Sequence, residues 1–316
     1  MQRYDRNELD HAARSAGFVR DSFEKVLRIT RILEYMNDQE FFKEHFLLKG
    51  GTAINLTIFN LPRLSVDIDM DFVPDCSREE MELNRRVASQ CLQDYMQSEG
   101  YIPGEDSRIS HSLDSFHYRY QNAAGNPDMI KIELNYSLRC HILPPDRRKI
   151  LTEVFGESIE IQTLKPMEIF AAKANALMTR AAARDLYDFD NMIQSGMFQG
   201  REDLFRKCVV FYHSISSDEI KTSFDASALD RITMNKIRRD LLPMLHDRRK
   251  FELNSRKERT KDYLEGLLQL TENEKKYLDC FKQKIYRPQL LFEDEETIKR
   301  IEKHPMALWK CKADEL

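Results

Sequence analysis

No apolar run in this sequence approaches the ~20 residues that a membrane-spanning helix needs. The N-terminus has no apolar stretch of the kind a secretory signal carries. Six cysteines (Cys76, Cys91, Cys140, Cys208, Cys280, Cys311) lie without paired spacing, so they offer neither a disulfide framework nor a zinc site. The net charge is −4, too close to balance to mark a nucleic-acid binder, so any such function must rest on local patches. No repeat or low-complexity tract is present. These absences lead us to expect a cytoplasmic protein with no membrane association. What remains is 316 residues, 41% hydrophobic and 32% charged. That is enough for two domains, or for one domain with a large helical extension.

The most informative stretch runs from Leu47 to Phe72. At its end Val66, Ile68, Met70 and Phe72 alternate with Asp67, Asp69 and Asp71. A period of two predicts a strand with one buried face. Its other face carries three carboxylates about 7 Å apart, from roughly 3.3 Å of rise per residue. Asp is a poor strand former and like charges on one face repel, so something must compensate. A divalent cation is the simplest candidate, and Mg²⁺ takes few protein carboxylates and leaves room for substrate phosphates. Upstream, Gly50 and Gly51 follow an apolar run and precede Thr52-Ala53-Ile54-Asn55-Leu56, which reads as a helix start. A glycine turn into a helix N-terminus lets backbone N–H groups approach a phosphate. The ordinary alternative is a plain turn followed by a solvated acidic strand. The two elements together describe a site for a nucleoside triphosphate and a metal.

In chain order, residues 1–22 are polar, and Phe23 to Phe46 shows helical spacing that predicts a long helix and then a short one. Ser77 and Glu80 form a capping segment for a helix reaching about Ser98, with Gly100 just beyond it. Strands are expected near Arg108–Ile109, Ser115–Gln121 and Met129–Tyr136. In the last of these Ile130, Ile132 and Leu134 alternate with Lys131, Glu133 and Asn135, so Glu133 can project to the side of the aspartates. Pro144-Pro145 and Arg147-Arg148-Lys149 read as a loop, and Val154 to Leu164 as a further strand pair. Pro166 opens a mostly apolar helix that carries Lys173. Arg180, Arg184 and Asp188 then follow at spacing four, which predicts one shared helix face. This set is either an ion-pair ladder or, with Lys173 and Asp185, a binding site for triphosphate charge. Beyond Ser195 we expect helices over 201–214, 227–244, 262–270 and 273–285, the last with a capping box at Thr271–Glu274. Ten Lys and Arg residues between Lys236 and Lys261 form either a solvated helix face or an RNA backbone track.

Taken in order, Lys49-Gly50-Gly51-Thr52-Ala53, Arg63-x-Ser65-x-Asp67-Ile68-Asp69, Lys131-Ile132-Glu133, Lys173 and Arg184-Asp185-x-x-Asp188 resemble the AbiEii/AbiGii family of nucleotidyltransferase toxins. Pro243-Met244-Leu245, Ile285 to Phe292 and His304 to Lys310 resemble that family's C-terminal segments, so the likeness covers about residues 25–312. The resemblance implies an α+β fold, a polymerase-β-like nucleotidyltransferase core over 1–165. A helical C-terminal domain over 166–316 would contribute Lys173 and Asp188 to the site. It implies Mg²⁺-dependent transfer of a nucleotide from an NTP, in toxin–antitoxin or abortive-infection phage-defence systems with a separately encoded antitoxin. Some members act on the 3′ end of tRNA. Carried over by position, Gly50, Gly51 and Thr52, with Ser65 and Arg184, would hold the nucleotide. Asp67, Asp69 and Glu133 would hold metal, and Lys173 and Asp188 would act at the triphosphate or the attacking hydroxyl. Asp71 leaves open a metal pair one step along, Asp69 with Asp71. Two other readings stand beside this one: transfer to a protein or small molecule, and a catalytically silent nucleotide-binding partner protein.

Overall fold

The period-two stretches are strands of one sheet in the computed structural model, which describes residues 4–151, 159–246 and 251–312. The chain forms two compact units, one of Met1–Arg139, Pro145–Leu164 and Pro243–Arg248, the other of Cys140–Pro144, Lys165–Leu242 and Arg249–Leu316.

The first unit holds every strand seen among the described residues: β1 (Phe46–Lys49), β2 (Asp67–Phe72), β3 (Ile102–Pro103), β4 (Arg108–Ile109), β5 (Leu113–Gln121), β6 (Pro127–Asn135), β7 (Asp146–Lys149) and β8 (Glu160–Thr163). They run in the order β3-β5-β6-β2-β1-β8-β7, with β4 on β5. β2 is central, antiparallel to β1 and parallel to β6. This pairing sets Asp67 beside Lys131, Asp69 beside Glu133 and Asp71 beside Asn135. The apolar half of the alternation is buried, with Ile68, Met70 and Phe72 on β2 and Ile130, Ile132 and Leu134 on β6. Helices α1 (Arg6–Ser15), α2 (Arg20–Asp38), α3 (Glu40–His45) and α5 (Arg78–Ser98) belong to the same unit. α2 buries Val26, Ile29, Ile32, Leu33 and Met36 along one stripe. α5 starts at the Ser77–Glu80 capping box and ends before Gly100, whose φ is +77°.

The described part of the second unit is helical: α6 (Pro166–Arg180), α7 (Ala183–Gln194), α8 (Glu202–Ser216), α9 (Met234–Asp240), α10 (Leu253–Leu267), α11 (Glu272–Lys282), α12 (Glu295–Ile301) and α13 (Pro305–Cys311). α6 begins on Pro166 and packs on α8. Its buried Glu168 accepts hydrogen bonds from the Ile142 and Leu143 N–H groups and the Tyr212 hydroxyl. A buried carboxylate needs such donors.

Four expectations need correction. Arg180, Arg184 and Asp188 do not share a helix. α6 ends at Arg180, Ala181 turns left-handed at φ +50°, and α7 starts anew at Ala183. Arg147, Arg148 and Lys149 are not a loop but lie in β7, at the end of the sheet order. A charged sequence suits an edge strand because it discourages further pairing. The helix expected over 227–244 is broken, since Thr233 caps a new start for α9 and Pro243 cannot continue it. α10 begins at Leu253, well before 262, because its first half is charged and buries little. The polar N-terminus holds the helix α1, capped by Asp5 on the Asn7 and Glu8 N–H groups. Of the strand pair expected over 154–164, the described residues hold one strand, β8, whose partner β7 lies earlier in the chain at Asp146–Lys149, and residues 154–158 of that expectation lie outside the described residues.

Candidate active site

β1 delivers the chain to Gly50, where φ is +70°, a conformation that costs glycine nothing. The helical turn α4 (Gly50–Ala53) follows and continues as a π-helical turn over Ile54–Ile58. A Cβ on Gly50 would run into the carboxylate of Asp69, and one on Gly51 would lie 2.8 Å from Ser65 Oγ and 2.9 Å from an Arg63 guanidinium nitrogen. Both glycines therefore allow close approach of backbone to functional side chains. The first N–H groups of a helix have no intrahelical partner and face an anion well. Thr52 is buried, and its hydroxyl donates to the Asp67 carbonyl. That bond ties the helix start to β2 and commits the hydroxyl proton there.

Asp67 and Asp69 are half-buried on β2, beside the glycine turn. Burial pushes the Asp69 carboxyl up to about 6, Lys49 pulls against it, and Glu133 and Asp67 add to the rise. Burial would raise Glu133 as well, but Lys131 at 2.7 Å and hydrogen bonds with Asp69 and Ser115 hold it below its ordinary value. Asp69 and Glu133 thus form a hydrogen-bonded carboxyl pair on neighbouring strands. Two carboxyl groups this close resist double ionisation, and a divalent cation relieves the repulsion that a shared proton otherwise relieves. The donor set fits Mg²⁺, which needs only one or two carboxylates besides substrate phosphates. Among the described residues no group of three His, Cys, Asp or Glu side chains stands ready to hold a metal by itself.

Asp71 is a different case. It is fully buried, and its Oδ1 lies 2.5 Å from the Lys49 ammonium. Burial raises its carboxyl while Lys49 opposes the rise. This leaves Asp67 and Asp69 as the carboxylates of β2 that meet solvent. Lys49 and Arg63 belong to the sequence motifs, but periodicity and spacing alone give them no role. The buried Arg63 donates to the Leu64 carbonyl and stands against Gly51.

In the second unit, Lys173 is 8% exposed and lies 2.9 Å from Asp185 and 3.0 Å from Asp188. Burial would raise Asp185, but Lys173 and Arg180 hold it well below the usual carboxylate range. The two carboxylates fix one ammonium in place, as a buried lysine requires. Arg184 sits half-buried on the next turn. Of the expected basic track, Arg239 pairs with Asp240, Arg256 and Arg259 with Asp190, and Lys261 with Asp230. Lys257 donates to the Asp230 and Ile232 carbonyls. Much of that run is therefore intramolecular, while Arg248, Arg249 and Lys250 lie outside the described residues.

A family model described as nucleotidyl transferase AbiEii toxin, type IV TA system, matches residues 31–266. Among solved structures the chain is similar to MenT4, a nucleotidyltransferase toxin from Mycobacterium tuberculosis H37Rv. The TM-score is 0.61 over 95% of this chain and 98% of that one, at 16% identity. This likeness is one of fold: a mixed sheet flanked by helices. No curated protein sequence matches the chain.

Proposed function

The chain belongs to the AbiEii family of nucleotidyltransferase toxins of type IV toxin–antitoxin systems, and from that premise we propose that it moves a nucleoside monophosphate from an NTP to the 3′ end of a tRNA. The acceptor hydroxyl attacks the α-phosphorus in line, the bond to the β-phosphate oxygen breaks, and pyrophosphate leaves. A nucleotidyltransferase of this family works in the presence of a separately encoded antitoxin, and we place the protein in the cytoplasm as an abortive-infection device against phage.

Asp67 and Asp69 would hold Mg²⁺, with Glu133 as a third carboxylate. Bound there, the metal supplies charge neutralisation at the phosphates, the main need of such a transfer. The chain's own residues do the rest. N–H groups of Gly50, Gly51 and Thr52 take phosphate oxygens at the helix start. Ser65, 7% exposed and close against Gly51, bounds that cradle. Lys173, aimed by Asp185 and Asp188, and Arg184 take triphosphate charge. The observation that carries the reading is the fit of Gly50 against Asp69: a left-handed glycine with no room for a side chain brings an anion cradle onto an acidic strand.

The test is incubation with total RNA, Mg²⁺ and each α-³²P-labelled NTP in turn, beside Asp67→Ala/Asp69→Ala. Label on a tRNA-sized band, absent in the variant, is expected. Label on no RNA with any NTP would overturn the RNA acceptor, and undiminished label in the variant would overturn the metal site.

A further inference from the structure

The second unit has a groove of about 1020 Å³ whose lining includes Lys282, Lys284, Lys310, Lys312 and Trp309. These residues come from the end of α11, the turn after it, α13, and Lys312 just past the end of α13. They are spread over thirty-one positions of a sequence with no basic run there, so no window scan finds them. Three of the lysines are exposed, and among the described residues none of the four makes an ion pair. Lys284 donates to the Lys310 carbonyl and Lys310 to the Ser217 carbonyl, contacts that hold the ammonium groups in place without cancelling their charge. Asp218 and Glu219 also line the groove, leaving the lysines in excess by two, four against two.

Trp309 is 65% exposed, level with Ile102 and below only Ile109 among the large hydrophobic residues of the described surface. Among the described residues no ring packs on it. A tryptophan left open beside unpaired lysines costs apolar exposure unless a ligand covers it. Lysine is depleted at protein–protein contacts and enriched where phosphates are bound, which favours a nucleic acid over an acidic polypeptide. Every base offers a face for stacking on an indole.

We propose that this groove is a binding site for a single-stranded RNA segment, with the lysines on its phosphates and Trp309 stacked on a base. The site extends the proposed function, on which the choice of RNA partly rests, by giving the acceptor RNA a place to bind outside the acidic strand.

Trp309 is the chain's only tryptophan, so intrinsic fluorescence reads the groove directly. The full-length protein is titrated with a single-stranded oligouridylate of roughly eight nucleotides across a salt series, within the length one such site covers. Saturable quenching that weakens with salt is expected. Lys282→Gln/Lys312→Gln should make the log–log salt slope shallower by about 1.4, from about 0.7 per lost phosphate contact on a single strand. With a labelled oligonucleotide read by anisotropy, Trp309→Leu should weaken binding roughly ten-fold. These positions are exposed, so circular dichroism should show both variants folded. Binding that is unchanged in both variants, or no quenching, would overturn the site. Quenching by poly-glutamate and not by RNA would overturn it in favour of an acidic polypeptide. RNA bound at Trp309 by a protein that labels no RNA would keep the groove and remove the tRNA acceptor. RNA labelled while Trp309 stays silent, with both variants unaffected, would do the reverse.

Discussion

Asp69 and Asp71 stand on the same face of β2, and their surroundings make them opposite in kind. Asp71 is sealed in and neutralised by Lys49, whereas Asp69 faces Gly50, Asp67 and Glu133. The carboxyl of Asp69 is raised to about 6. A raised carboxyl adds no penalty below its unfolded value near 4, where both states are protonated. The penalty grows as pH climbs from about 4 to 6 and is complete above that. Asp69→Asn should therefore raise the melting temperature of the metal-free protein at about pH 7.5 while abolishing transfer. The gain should be on the order of 1–3 kcal/mol, or roughly 2–4 °C per kcal/mol in a chain of this size. Scanning calorimetry beside an activity assay checks both halves, and a lower melting temperature would show that Asp69 is not strained by its neighbours. Lys49→Met should do the contrary. It leaves the Asp71 carboxylate buried without its partner, a loss of about 3–5 kcal/mol at neutral pH. The loss should shrink in acid, where Asp71 protonates, and denaturant titrations at two pH values measure it.

The same contrast shows what the sequence made legible. Alternation placed three aspartates on one face, but it could not tell the buried one from the others. That distinction needs Lys49, which is 22 residues away and reaches Asp71 across the β1–β2 pair. Lys173 illustrates the same point: it lies in a readable motif, yet its partners Asp185 and Asp188 come from the next helix.

At the scale of elements, the glycine turn, α4 and β2 act as a unit. The Thr52 hydroxyl bridges helix start and strand by donating to the Asp67 carbonyl. Thr52→Val removes the donor of that bridge, so about 0.5–1.5 kcal/mol of stability should be lost along with part of the activity. Thr52→Ser should restore both, and a variant pair with equal melting curves would contradict the bridge. Elements announced by local chemistry were readable, such as the capping boxes at Ser77–Glu80 and Thr271–Glu274 and the Pro166 start of α6. The break at Ala181 was not. Alanine is the strongest helix former, and nothing in Arg180-Ala181-Ala182-Ala183 signals a left-handed residue. Ala181 is fully buried, so tertiary packing and not local preference sets the end of α6. β7 was hidden for a related reason, since an edge strand of charged residues carries no apolar alternation.

At the scale of the whole molecule, the proposed metal site rests on the acidic strand of the first unit. Metal should bind the folded state only with Asp69 ionised, so Mg²⁺ should raise the melting temperature at about pH 7.5 and do little at about pH 5. The Asp67→Ala/Asp69→Ala variant should not respond at either pH. Equal stabilisation of wild type and variant would place the metal elsewhere. Family, enzyme class and mixed fold were within reach of the ordered motifs. The lysine and tryptophan groove was not, because its residues meet only once α11 and α13 have packed.

The central claim is nucleotidyl transfer at Asp67 and Asp69, and the most direct measurement compares label from α-³²P and γ-³²P forms of the same NTP. The protein is incubated with Mg²⁺ and RNA, and the products are resolved on a denaturing gel. Label from the α position should enter RNA in a time-dependent way, label from the γ position should leave as pyrophosphate, and neither should enter RNA with Asp67→Ala/Asp69→Ala. Label entering RNA from the γ position would mean phosphoryl transfer, and undiminished α label with the variant would mean that the acidic strand is not the site.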